Sequence, residues 1–343
     1  MQLMMFLLRR LIRLVLSLLV VSALTFGLLS LAPGSFAGIQ AAGAGSTGLA
    51  SGRSVDLTSQ VQQRFGEDLP VWQQYKNWLG PALHGDFGYS YKYPESTVGE
   101  LIVAKLPTSL ALALIAVVLA LMIAIPMGIL AAARRNSPWD HGSMFVLTAA
   151  TAFPTYLAGI LLVLIFSSWL HWLPTGGWSG PRYAILPIIA LTIAPAGVMA
   201  RYVRSSVLEV LREEYVVAAF AKGGSRRIVM RRHVLRNALM PLVTVVGPLL
   251  TGLVVGTIFI ETIFGVPGIG GLFTEAAQVR DMPLLMGTTL VFALMLMLVN
   301  LLVDLSYAVI DPRTRTGLGL STEPAERTSG PAAVEAMMEE VKP

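Results

Sequence analysis

Long apolar runs broken by short charged stretches set the pattern of this chain. A helix crosses the roughly 30 Å core of a bilayer with about 20 residues. Six runs meet that length, at about 11–32, 105–134, 144–170, 184–203, 239–260 and 284–310. Asp304, in the sixth, is the one acid inside them. The pattern therefore predicts an all-α integral membrane protein with six transmembrane helices. The first run follows Arg9, Arg10 and Arg13, as a signal peptide would, but its apolar core is longer than the usual 7–15 residues. It reads as an uncleaved anchor.

Prolines lie inside the runs at 107, 126, 154, 187, 195 and 248. Each would break a soluble helix, whereas a packed bundle can satisfy the freed carbonyls. They read as ordinary packing features, as do Gly247, Gly252 and Gly256, which would let helices approach closely. Arginine and lysine alternate in density between successive connections. The N-terminus, the 134–135 corner, the 204–238 loop and the tail are basic, and the intervening loops are poorer for their length. The positive-inside rule then puts both termini in the cytoplasm.

Composition agrees with a lipid solvent: 55% of residues are hydrophobic and 13% charged, about half the charge of a soluble domain. The absence of cysteine excludes disulfides, thiolate metal sites and a lipidated cysteine. The chain divides into an anchor and first span (1–32), an external loop and cap (33–104), a five-span core (105–312) and a tail (313–343) expected to be disordered. Within the loop, 34–54 has linker composition. The stretch from 61 to 93 carries aromatics, and Gly85-Asp86-Phe87-Gly88 reads as a turn. The loop 204–238 is the most informative. It places the apolar run Val216–Ala221 before Lys222, Gly223 and Gly224, a short helix stopped by glycine. Such a helix either lies on anionic headgroups or docks on a soluble partner, and composition leaves both open.

The chain lacks the chemistry of an engine. No Gly-x-x-x-x-Gly-Lys-Ser/Thr loop, His-Glu-x-x-His helix or Gly-x-Ser-x-Gly elbow occurs. No catalytic or metal-ligating set is expected, and nothing points to nucleic acid. Asp304 shares a helix face with Asn300. An intramembrane carboxylate is a pathway candidate, but one acid makes a poor proton relay, and pairing at the end of the span is the simpler reading. An ion-coupled carrier would also need paired, interrupted helices, and no internal repeat is visible.

Glu214-Tyr215-Val216, Ala218-Ala219, Ala221-Lys222-Gly223, Arg232-His233, Leu235-Arg236-Asn237-Ala238-Leu239 and Pro241 together resemble the signature loop of bacterial ABC importer permeases. The general motif Glu-Ala-Ala-x-x-x-Gly is matched by Ala218, Ala219 and Gly223, while Val217 stands where its glutamate would be. Further pieces match in order: Ala32-Pro33-Gly34, Gly85-Asp86-Phe87-Gly88, Ile125-Pro126, Glu261-x-Ile263-Phe264-x-x-Pro267-Gly268-x-Gly270, and Asn300 through Asp304 to Asp311-Pro312-Arg313. The set is similar to the dipeptide, oligopeptide and nickel permease family. That resemblance implies a type I, MetI-like bundle in the bacterial inner membrane. It implies a coupling helix of Glu214, Tyr215, Ala218, Ala219, Ala221, Lys222 and Gly223. The implied partners are two ABC ATPase subunits, which use the ATP and Mg, a second homologous permease and an extracytoplasmic binding protein. It makes peptides the expected cargo, with nickel chelates or sugars as alternatives. Glu261, Asn300 and Asp304 are candidates for gate or pathway.

Overall fold

The computed structural model describes residues 2–31, 69–240 and 242–310. The expected linker at 34–54 and the tail beyond 312 lie outside them. The elements are α1 (Gln2–Leu31), α2 (Val71–Ala82), α3 (Val98–Ala133), α4 (Pro138–Ala152), α5 (Thr155–Leu162, continuing as a π-helical turn through Trp169), α6 (Pro181–Val210), α7 (Glu214–Ala221), α8 (Arg226–Val229), α9 (Leu235–Leu239, reached through a π-helical turn), α10 (Leu242–Phe264), α11 (Ile269–Val279) and α12 (Met282–Ile310). Five helices are long and apolar enough to cross a membrane, and a sixth crossing follows if α4 and α5 count as one bent span.

The third run is the correction. It is not one helix from 144 to 170: α4 and α5 meet at 104° across Phe153-Pro154. A residue before proline disfavours helical backbone, and Phe153 is extended (φ −81°, ψ 126°). The other five prolines sit within continuous helices. The second span begins earlier than its apolar run. Thr97 accepts from the Glu100 N–H at 3.2 Å, and Glu100 accepts from the Thr97 N–H at 3.0 Å. This capping box starts α3 at Val98, ahead of its charged first turn.

α6 is the hub, packed against α3, α4, α5, α9 and α10. Its broadest interface is with α3, where Ala113, Ala116, Ala120, Ala124 and Gly128 form a buried small-residue stripe. A Cβ on Gly128 would sit 2.7 Å from both the Ala200 carbonyl oxygen and Val203 Cβ, so the two backbones nearly touch. Gly197 of α6 takes the Leu147 carbonyl of α4 in the same way. Gly247 receives Val303 of α12, whereas Gly252 faces open space and Gly256 makes only ordinary contact. The expected close approach thus holds at one of those three glycines.

Arg204, counted in the sequence only as orienting charge, has a structural task. Its Nε and Nη2 donate to Asp140 Oδ1 and Oδ2 at 2.7 and 2.8 Å. Asp140 is buried at the start of α4, where it also accepts from the Asn136 N–H. The pair fastens α4 to α6. Arg204→Ala leaves a buried carboxylate uncompensated and is expected to cost roughly 3 kcal/mol. An Asp140→Leu/Arg204→Met pair should recover most of that loss in thermal melts of the detergent-solubilised protein. Gly128→Val should melt earlier through overpacking by about 1–3 kcal/mol, while Gly252→Ala should not.

Candidate functional site

The candidate residues fall at opposite ends of the bundle. At the end holding the start of α1, the chain leaves α6 at Val210 and turns into α7. Val216 of α7 is fully buried among Val229, Val234 and Ala238 of the following segment and Val203 and Val207 of α6. Ala219 is half-buried against the same cluster. The rest of the helix is bare: Val217 is 57% and Phe220 39% exposed, and Glu214, Tyr215, Ala218, Ala221 and Lys222 are exposed as well. One turn of α7 anchors it, and among the described residues nothing covers its apolar remainder.

The exit is fixed by two glycines with different tasks. Gly223 has φ +82°, a left-handed conformation that favours glycine. At Gly224 a Cβ would lie 2.8 Å from the Ala219 carbonyl and from Val229. The return limb is tied at three points. Asn237 Nδ2 donates to Tyr215 Oη at 2.7 Å, Ser206 Oγ to the Ala238 carbonyl at 2.8 Å, and Arg226 to the Ala133 carbonyl at the end of α3 at 3.1 Å. A cleft of about 530 Å³ opens beside α7, lined by Arg204, Glu209, Arg212, Glu213 and Glu214 among others.

At the opposite end, α10 stops at Phe264, and α11 folds back under Glu261. Glu261 is fully buried. Its Oε2 accepts from the Gly270 and Gly271 N–H groups at 2.6 and 3.2 Å, capping the start of α11. Beside it, Ser109 Oγ of α3 accepts from the Ile269 N–H at 2.9 Å. Oε1 is buried without a hydrogen-bond partner among the described residues. A Cβ on Gly270 would lie 2.8 Å from Oε2, and one on Gly268 would collide with the same carboxylate. Glu261 is therefore a helix-capping group inside the protein, not a carboxylate at an open interface.

The strand-like segment after the Gly85–Gly88 turn locks onto the far side of α11. Gly85 and Gly88 have φ +86° and +82°, and Asp86 accepts from the Gly88 N–H at 2.9 Å, as the turn reading expects. Ser90 Oγ donates to Asp281 Oδ2, the Lys92 N–H donates to the same oxygen at 3.0 Å, and Asp281 Oδ1 accepts from the Leu284 N–H at 3.1 Å. Asp281 is fully buried and starts α12 while holding the loop. Nearby, Lys92 Nζ and Tyr93 Oη both donate to Glu275 of α11. Ser90 follows the Gly85–Gly88 piece of the resemblance, but none of Lys92, Glu275 and Asp281 stood out as a site residue in the sequence, because their pairing spans more than 180 residues.

The comparisons with known proteins decide the family. Residues 124–316 match the profile described as binding-protein-dependent transport system inner membrane component, and residues 3–113 match the N-terminal membrane component profile. The chain belongs to that family. It is 35% identical over 313 residues to the oligopeptide transport system permease protein OppB of Salmonella typhimurium, covering 90% of this chain and 99% of that one. It is 38% identical over 264 residues to the oligopeptide permease AppB of Bacillus subtilis, covering 74% and 84%. Against the dipeptide permease DppB of Lactococcus lactis the identity is 34%, covering 90% and 99%. A solved structure of the MetNI methionine ABC transporter, facing inward, aligns with TM-score 0.53 at 20% identity, over 62% of this chain and 96% of that one. That likeness shows the fold, a MetI-like permease bundle. The protein is thus a multi-pass inner-membrane permease of the ABC importer class, with ATP hydrolysis on a separate subunit.

In this permease the three pathway candidates do not converge. Asn300 meets Thr251 across the α10–α12 contact, ten residues and about 15 Å of helix before Glu261. It also lines a groove with Arg10 and Arg13 of α1. The side chain of Asp304 lies outside the described residues. Two outcomes follow from the α11 end. Glu261→Gln keeps an oxygen for the Gly270 and Gly271 N–H groups and should melt near the wild type. Glu261→Ala strands those donors and should cost about 2 kcal/mol or more. The second concerns pH. Burial pushes the Glu275 carboxyl up, but the hydrogen bonds from Lys92 and Tyr93 outweigh it, so it titrates below its ordinary value. Lys92 titrates above its ordinary value, chiefly through its bond to Glu275. A lowered acid loses its contribution as pH falls through its folded value, and a raised base loses its own as pH rises through its folded value. The pair is thus at full strength between about pH 4.3 and 10.4. At a third exposed, it is expected to contribute at most about 1 kcal/mol. The melting difference between wild type and Glu275→Gln should vanish at either extreme.

Proposed function

We propose that this permease translocates di- and oligopeptides, delivered to it by an extracytoplasmic binding protein. The observation that carries the cargo is the alignment, over 99% of their length, with permeases named for oligopeptide and dipeptide transport. A second homologous permease completes the passage, and two ABC ATPase subunits, which use the ATP and Mg, drive it. α7 is the coupling helix, with Glu214, Tyr215, Ala218, Ala219, Ala221, Lys222 and Gly223 as its docking residues. Its bare apolar side fits either a lipid surface or a protein groove, and the adjoining cleft supports the groove. A cleft lined by three glutamates and two arginines suits a folded polar partner and not acyl chains.

The arginine-rich end faces the cytoplasm on this reading, and α2, α11 and the 85–97 segment face outward as part of the binding protein's docking surface. ATP binding draws the ATPase subunits together and moves α7. Because α7 shares its buried cluster with α6 and the return limb, that motion is passed to the spans. The bundle is then a two-state element that the partner biases. Glu261 positions α11 at the outer mouth, and Asn300 and Asp304 belong to the α12 side of the bundle.

The test is co-purification of the whole complex from its native membrane. Ala219→Arg and Gly223→Arg should each release the ATPase subunits while the second permease stays bound, and peptide-stimulated ATP hydrolysis should fall to background. If the ATPases stay bound in both variants, α7 is a surface helix and the coupling reading fails.

A further inference from the structure

Hydrocarbon satisfies no backbone hydrogen bond, so irregular backbone at membrane depth occurs only where it is buried in protein or lines a wet cavity. The α4–α5 break puts such backbone in the middle of the bundle. Its depth is fixed by α6, which spans Pro181–Val210 and whose Gly197, at mid-length, packs on Leu147 and Thr151 just before the break. Among the described residues, no backbone N–H from outside α4 reaches the carbonyls of Ala149 to Ala152. Protein does not cover the site either. Ala152, Phe153 and Pro154 are exposed, and so is Tyr156.

The same side is continued by α10. Pro248, Gly252, Val255, Phe259 and Thr262 are its exposed residues among those described, at spacings of four, three, four and three that make one helical stripe. Tyr156 and Phe259 join the two elements, with ring centroids 6.2 Å apart at 48°. Both rings are about half exposed, at 46% and 52%.

We propose that this face, from Phe153 and Tyr156 across to Phe259 and Val255, is a station for the cargo within the passage. It takes an extended peptide whose N–H groups donate to the carbonyls left free at the end of α4, while the Tyr156–Phe259 pair holds apolar side chains. Recognition through backbone groups reads the one feature all peptides share, and an aromatic pair is tolerant of side-chain identity. The proposal rests on the peptide reading above. Lipid and the second permease are the competing occupants of the same face.

The chain has no cysteine, so single cysteines can be placed in it and their labelling read on this chain after it is separated from its partners. Phe153→Cys, Val255→Cys and Phe259→Cys are labelled in the full complex in membrane vesicles with a charged, membrane-impermeant methanethiosulfonate. Leu24→Cys, on the bare side of α1, is the lipid-facing reference. The expected result is reaction roughly tenfold faster at the three sites than at position 24, because only a hydrated thiol ionises. Alanine di- to pentapeptides should slow it several-fold. Rates equal to that at position 24 would assign the face to lipid. Labelling of the isolated chain but not of the complex would assign it to the second permease. Peptide uptake by the wild-type complex is measured in the same vesicles. Uptake without protection overturns the station alone, whereas no uptake overturns the peptide reading and with it the occupant.

Discussion

Every backbone group that enters hydrocarbon must bring its own hydrogen-bond partner, and the architecture follows from that requirement. Five span prolines, at 107, 126, 187, 195 and 248, are absorbed in unbroken helices, and Pro187 and Pro195 of α6 are buried among close neighbours. Closeness in turn depends on side-chain size. Between α3 and α6 the stripe from Ala113 to Gly128 removes the bulk that would hold the helices apart. α6 can then serve as a common wall for α3, α4, α5 and α10, and the remaining elements are hung from that wall.

The two ends of the bundle solve one problem with the same material. Each must turn the chain sharply and still fix a short helix at a defined angle. At α7 the turn is made by Gly223 and Gly224, and the helix is held by one buried valine. At α11 it is made around Gly268 and Gly270, and the helix is held by a buried carboxylate. The difference lies in what stays bare. α11 is enclosed, with Ile269, Gly270, Leu272 and Ala276 buried and the 90–93 segment clasped to its side. α7 keeps an apolar surface that no described residue covers.

Much of this was readable in advance. Six apolar runs marked the crossings, and the glycine stop after Ala221 marked the end of α7. The ordered motif matches pointed to the family that the comparisons establish. What escaped was set by long-range geometry. Pro154 looks like Pro126 in the sequence, yet only the former coincides with a break, because tertiary packing and not the local pattern decides which proline a helix runs through. Glu261 read as a candidate for gate or pathway, since nothing nearby announces that the Gly268-Ile269-Gly270 turn folds back onto it. Arg204 was indistinguishable from the other arginines of its loop until Asp140, 64 residues earlier, was seen to face it. The start of α3 at Thr97 went unread, although Thr97-x-x-Glu100 has the capping-box pattern, because Glu100 and Lys105 lie ahead of the apolar run.

The Asp140–Arg204 clasp has a kinematic meaning. It pins the first turn of α4 to α6, while Gly197 seats the middle of α4 on the same helix. A rod held at two points on a wall cannot slide or swivel against it, so α4 and α6 form a single lever. The return limb is joined to that lever through Ser206 and the valine cluster. On the proposed coupling, a displacement delivered to α7 would pass into that lever, whose α4 arm ends at the corner at Phe153-Pro154, where the bent span turns into the half that packs on both α6 and α10.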